Sequence, residues 1–320
     1  MWKSGRQVER MWHQKSRVQW HLKGDRNTKF FHLMANSRQC RNSLNSVVIN
    51  DQVLEDPLLV MMEVLNHFQR LYFEDWEVRP FFTERMGNSI DEVMATSLIQ
   101  KFTEDEVWEV IKSCDGNKAP GPDGFNLSCI KKGWSFMKTD ILNFMEEFHT
   151  HCSLPKGFNS SFIALIPKSE NPTKLSDFRP ISLIGCMYKI LSKVLASRLK
   201  KTITTVVGDV QSAFTGGKNI QDSILIANEI VDGWKKKKVR GIIIKLDFEK
   251  AFDNLIWVYL FRMMHMFGYP DKWIMWIEEC LSSAWVSVLV NGFVLFWSVF
   301  CYVLVFVLFW SVFFGVWCRV

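Results

Sequence analysis

Along the chain, apolar positions recur in short helical periods that are punctuated by turn signals. Leu58, Met61, Leu65, Phe68 and Tyr72 follow Asp56-Pro57, a cap and a first-turn proline, and predict a helix over 58–72. Thr103 with Glu106 three positions later is a capping box that opens a helix through Val107, Val110 and Ile111. That helix should stop near Asp115-Gly116. A helix over 139–149 is expected to start at Thr139. Tyr188 to Lys201 is amphipathic, with Ile190, Val194 and Leu195 expected inward and Lys189, Lys193, Arg198, Lys200 and Lys201 outward. Further helices are expected over 220–234, ahead of the run Lys235 to Lys238, over 255–267, closed by Gly268, and over 271–281.

Period-two and β-branched runs predict strands between these helices. Phe162 to Ile166 ends at Pro167-Lys168, and Asp177 opens a turn that feeds Phe178 to Leu183. Gly241 to Asp247 is an Ile-rich strand closed by a carboxylate, and 285–290 ends in the turn pair Asn291-Gly292. Lys118 to Phe125 holds two prolines and two glycines in five residues, which makes it a rigid, exposed loop. Helices and short strands mixed without strict βαβ alternation predict an α+β fold. No repeat is visible at solenoid periods.

Composition divides the chain. Its 320 residues suffice for about two domains, and 48% apolar with 22% charged residues excludes wholesale disorder and collagen-like or disulfide-scaffold classes. Yet residues 293–318 hold only Ser298, Ser311 and Gly315 outside the apolar set. Every acidic residue and every Lys or Arg except Arg319 precedes them. The net charge of +6 is therefore carried almost wholly by residues 1–292. Eight scattered cysteines, no Cys-x-x-Cys and an N-terminus without an apolar leader predict a reducing, intracellular setting, nuclear or cytoplasmic. His149-x-His151-Cys152 has no second ligand pair at a suitable spacing and reads as ordinary core and surface residues. The first 50 residues interleave Trp12, Lys15, Arg17, Trp20, Lys23, Arg26, Lys29, Phe30, Phe31, Arg38 and Arg41. Such a pattern suits phosphate contact with base stacking, or equally a solvated amphipathic helix.

Asp247 is the sharpest chemical feature. A carboxylate at the end of an apolar strand projects over the sheet edge, where it can hold magnesium with substrate phosphates or cap the following helix. Asp247-Phe248-Glu249-Lys250-Ala251-Phe252-Asp253 resembles the first catalytic motif of reverse transcriptases of plant-type non-LTR (LINE) retrotransposons. Lys118 to Phe125 resembles the loop ahead of the fingers in that family. Phe162-Ile163-Ala164-Leu165-Ile166-Pro167-Lys168 and Phe178-Arg179-Pro180-Ile181-Ser182-Leu183 resemble its two fingers motifs. Gln211-Ser212-Ala213-Phe214 with Gly216, Gly217 and Asp222 resembles the stretch that enters the palm. Gly24 to His32 resembles the connector between endonuclease and polymerase in plant elements.

The resemblance implies the fingers and part of the palm of a right-hand polymerase, with RNA template, DNA primer and dNTP as partners. It implies that Asp247 and the backbone carbonyl of Phe248 ligate Mg2+, and that Phe252 is the steric gate against a 2′-hydroxyl. Lys168 and Arg179 would clamp the triphosphate, the guanidinium as a fork and the ammonium as a point charge. Asp253 is either part of this motif or a helix cap. The family pattern continues into a Gly-rich motif and a hairpin with two adjacent aspartates, and no Asp-Asp pair occurs in this sequence. One carboxylate cannot hold two ions, so a truncated domain without polymerase activity of its own is expected. The expected division is a helical basic linker over 1–100, a polymerase domain over 101–292 and an apolar tail over 293–320. The tail is long enough to span a bilayer, but its Phe, Val, Trp and Leu have codons rich in T and G, which suggests a frameshift product. A non-catalytic nucleic-acid-binding remnant and a tail-anchored membrane protein with a basic cytosolic domain are the alternatives.

Overall fold

The computed structural model describes residues 28–72, 88–207, 220–242 and 255–297. Helix α1 (Thr28–Asn42) leads to a small hairpin, β1 (Val47–Ile49) with β2 (Gln52–Leu54). Its turn residues Asn50 and Asp51 sit at φ 48° and 61°, the left-handed region that Asn and Asp tolerate. Helix α2 (Pro57–Tyr72) starts as its sequence predicts: Asp56 Oδ1 accepts from the N–H of Leu58 at 2.8 Å and of Leu59 at 3.1 Å. One face of α2 buries Val60, Val64 and Phe68.

Helix α3 (Glu92–Leu98) is capped by Asp91, and α4 (Glu104–Ser113) by Thr103, whose Oγ1 accepts from Glu106 N at 3.2 Å. Helix α5 (Leu127–His151) begins twelve residues before Thr139, which lies inside it. Its cap is Asn126, which accepts from Cys129 N at 3.0 Å. Lys131-Lys132-Gly133 interrupts the apolar row and hides the first three turns in the sequence pattern. Leu127 and Ile130 nevertheless extend the stripe of Ile141, Phe144, Met145 and Phe148 into the core.

The main sheet has four strands: β3 (Ser160–Pro167), β4 (Phe178–Ile184), β5 (Trp285–Val290) and β6 (Phe293–Trp297), in spatial order β4-β3-β5-β6. Strand β3 pairs antiparallel with β4 and parallel with β5, and β5 pairs antiparallel with β6. Helix and strand segregate as an α+β fold. Alternation puts Ile163 and Leu165 of β3 with Val286, Val288 and Val290 of β5 against α2 and Leu44 and Val47, forming one core. The second core joins α3, α4 and α5 to α6 (Cys186–Val206), α8 (Trp257–Met266) and α9 (Asp271–Ser282) around Tyr188, Trp273 and Trp276. Helix α7 (Ile220–Lys237) leaves Ile224, Leu225, Ile226 and Ile230 exposed.

Arg198 departs from expectation. It is buried rather than outward, and its side chain forms a bidentate pair with Glu106 at 2.7 Å on each oxygen. It also donates to the carbonyls of Leu98 (2.9 Å), Gln100 (2.6 Å) and Lys101 (3.1 Å), while its guanidinium lies 4.4 Å from the Phe102 ring centroid. The Glu106 carboxylate thus serves Arg198 instead of closing a capping box. The apolar run also behaves differently at its start. Phe293–Trp297 is a strand laid on β5 through a turn at Asn291 (φ 50°) and Gly292 (φ 89°). Among the described residues no helix is long and apolar enough to cross a membrane, and residues 298–320 of the run lie outside them.

Candidate functional site

Two of the sequence-predicted site residues lie at the same end of the main sheet. Ile166 pairs with Arg179 and Pro167 with Phe178, so Lys168 follows the end of β3 just as Arg179 enters β4. Alternation places Arg179 on the face away from α2, with Ala164, Ile166 and Ile181; both Arg179 and Ile181 are exposed. Lys168 Nζ donates to the Ser176 carbonyl at 2.6 Å, which still leaves two of its three protons free to meet an anion.

The turn between them is built around Asp177. Its Oδ2 accepts from Thr173 N at 3.1 Å and Lys174 N at 3.0 Å, and its carbonyl accepts from Lys168 N at 2.7 Å. Those two backbone donors, first Lys174 and then Thr173, hold its carboxyl below the ordinary range, with the cations Lys168 and Lys174 adding to the effect. The proline- and glycine-rich loop is docked, not free. Gly121 is buried against the junction of β4 and α6, and a Cβ on it would stand 2.3 Å from the Ile184 carbonyl carbon. Asp123 Oδ2 accepts from Cys186 N in the first turn of α6, where the Gly185 cap offers no side chain. Asp123 Oδ1 accepts from Phe125 N at 3.2 Å.

Asp247, Phe248, Phe252 and Asp253 lie outside the described residues, as does 211–217. Of the cations assigned to an outward face, Lys200 and Lys201 are exposed, and Lys189 and Lys193 are half-buried; the run Lys235 to Lys238 is exposed as well. Arg198 is committed to the core. His149 is also a core residue, with Nε2 at 2.9 Å from the Ile99 carbonyl and its ring against Phe102 and Trp276. The sequence marks Asp177 only as the opening of a turn and Asp123 only as part of a loop. Their signal is positional: an Asp directly before a strand, and an Asp in a Pro-Gly turn, are both placed to accept backbone N–H groups.

Residues 166–300 match the family model of reverse transcriptase (RNA-dependent DNA polymerase). That interval of the chain is similar to reverse transcriptases. The chain is similar to a 149 kDa protein of transposon TX1 from Xenopus laevis, 23% identical over 288 residues that make up 87% of this chain and 21% of that protein. It is also similar to the Pol polyproteins of the R1 element of Bradysia coprophila (24% identical, 59% of this chain and 20% of that protein) and of R2DM of Drosophila melanogaster (23%, 67% and 20%). The chain spans about a fifth of the length of these relatives. The matched interval takes in Lys168, Arg179 and the Asp247 motif. It also takes in β6, so the first residues of the apolar run fall within the reverse transcriptase match.

Proposed function

We propose that the chain is the fingers and first palm segment of an RNA-directed DNA polymerase of a non-LTR retrotransposon, in which the β3–β4 end receives the nucleotide. The observation that carries this reading is that Lys168 and Arg179 lie at the same exposed sheet end, inside the interval that matches the family. A guanidinium fork beside an ammonium suits the oxygens of a triphosphate. Asp247 with the Phe248 carbonyl would ligate Mg2+, Phe252 would gate the sugar, and RNA template and DNA primer would lie along the Lys-rich surface. The plant-type assignment rests on Gly24 to His32 alone.

The donor set does not fit a two-ion centre. One carboxylate and one carbonyl leave most of the oxygen positions of two Mg2+ ions unfilled, and the sequence has no adjacent aspartates to supply them. This chain therefore binds primed template without extending it. The test is primer extension on RNA and DNA templates by the full chain, together with its template affinity at several salt concentrations. The expected result is no incorporation above an Asp247→Ala control and an affinity that falls steeply with salt, as released counterions require. Incorporation above that control overturns the inactive reading, and salt-independent affinity overturns nucleic acid as the partner.

A further inference from the structure

We propose that Asp177 is a positioning residue that holds the β3–β4 turn in the one form that sets Lys168 and Arg179 together for a triphosphate. The inference rests on the reading of those two cations as triphosphate ligands and adds the group that arranges them. A nine-residue excursion, 169–177, separates Lys168 from Phe178, long enough to take many shapes without an internal organiser. Asp177 supplies one from both its side chain and its backbone.

Its carboxylate takes the N–H groups of Thr173 and Lys174, which folds the excursion back on itself. Its own N–H donates to the Lys174 carbonyl at 2.9 Å, and its carbonyl takes Lys168 N at 2.7 Å. The last of these bonds extends the β3–β4 ladder by one rung and fixes the backbone of Lys168 next to Arg179. The neighbouring Ser176 carbonyl then tethers the Lys168 ammonium. From the far side, Val48 N in the β1–β2 hairpin donates to the Thr173 carbonyl at 2.8 Å, so the organised turn also rests on the upstream region. Arg179 has no such tie among the described residues; its place is set by the register alone. Losing the carboxylate frees the turn and with it the backbone and ammonium of Lys168, while the buried Phe178 keeps β4 in register.

Asp177 touches no phosphate in this scheme. Its carboxylate is spent on backbone donors, and a negative charge on the turn opposes an anion. Removing it without disturbing the turn would therefore strengthen triphosphate capture, whereas removing it with the turn weakens capture. The sign of the effect decides between a merely nearby acid and a positioning one.

The experiment titrates the full chain with a fluorescent N-methylanthraniloyl dATP in the presence of Mg2+. It compares wild type with Arg179→Ala, Asp177→Ala and Asp177→Asn, and measures urea midpoints and amide exchange at Thr173 and Lys174 in parallel. Arg179→Ala and Asp177→Ala are each expected to weaken binding by about ten-fold, a loss of about 1.4 kcal/mol. Asp177→Asn, whose side-chain oxygen still accepts backbone N–H groups and whose negative charge is gone, should match or exceed the wild-type affinity and keep most of the exchange protection. No binding by wild type, or an indifferent Arg179→Ala, sinks the triphosphate reading and this inference with it. A sensitive Arg179→Ala with unchanged or tighter binding by Asp177→Ala leaves that reading standing and overturns this inference alone. Equal loss in Asp177→Ala and Asp177→Asn that tracks a fallen urea midpoint also overturns it, because the role is then general stability.

Discussion

Replacing Arg198 by Ala should cost the fold about 3–5 kcal/mol, the usual price of leaving a buried ion pair half-made. Side-chain exposure is 7% for Arg198 and 23% for Glu106, so this pair is not a surface bridge of negligible worth. The guanidinium makes five hydrogen bonds, two to Glu106 and three to carbonyls of residues 98–101. Summing ~1.5–3 kcal/mol for each charged bond would overshoot, because one side chain makes them all and neighbouring terms do not add. The lower figure is still a large share of a typical ~5–15 kcal/mol stability. Urea unfolding followed by tryptophan fluorescence suits the measurement, since Phe102, under the guanidinium, packs 5.4 Å from the buried Trp276 ring. Arg198→Lys keeps the charge but not the fork and should recover only part of the loss. A double-mutant cycle with Glu106→Gln should return a coupling of about 1–3 kcal/mol. An Arg198→Ala variant within about 0.5 kcal/mol of wild type would show that the buried pair does not hold the fold. So would a variant that retains stability but lowers the salt slope of nucleic-acid binding by about one, the mark of a phosphate contact.

Gly121→Ala should destabilise by about 1–3 kcal/mol, because the new methyl meets backbone at Ile184 and Gly185 that cannot swing aside; a wild-type urea midpoint would show that the loop is not docked there. Thiol labelling of the native chain at pH 8, mapped by mass spectrometry, should modify the exposed Cys40 and Cys129 and spare the buried Cys114, Cys186 and Cys280. Burial, and secondly the Asp123 carboxylate, push Cys186 up to about 11, and burial pushes Cys280 up to about 12. Folded values above the ordinary 9.0 mean that these thiols stabilise the fold below pH 9 and lose that contribution as pH rises through 11 to 12. Urea midpoints should fall over that window and fall less in Cys186→Ser; rapid labelling of native Cys186 would contradict its burial.

The elements that were legible in the sequence are those whose signals are local. The cap at Asp56-Pro57, Thr103, the Asn291-Gly292 turn and the alternation of β3 each work within a few residues, and each recurs in the structure. Arg198 was misplaced although its spacing was informative. It lies four residues beyond Val194 and eight beyond Ile190, on the inward row, and charge was allowed to outweigh position. What made burial tolerable was Glu106, ninety-two residues earlier, together with carbonyls left open between α3 and α4. The three-residue strands of the β1–β2 hairpin are too short to show a period. In the candidate site, the motifs point to Lys168 and Arg179, whereas the sequence shows Asp177 only as a turn residue and not the backbone groups it accepts.

The parallel pairing of β3 with β5 has a consequence for how the chain is made. Val60, Val64 and Phe68 of α2 are buried against Val286, Val288 and Val290, and Asn291 holds Leu44 by two hydrogen bonds, donating to its carbonyl at 2.9 Å and accepting from its N–H at 2.8 Å. During synthesis the upstream partners emerge more than two hundred residues before their mates. At ~5–20 residues per second the delay is on the order of ten to fifty seconds. For that interval α2 shows an unsatisfied apolar stripe, and β3 can pair only with β4. The nascent chain thus passes through a stage at which one core can form only in part, and a holdase chaperone or a ribosome pause would act on α2 in that interval.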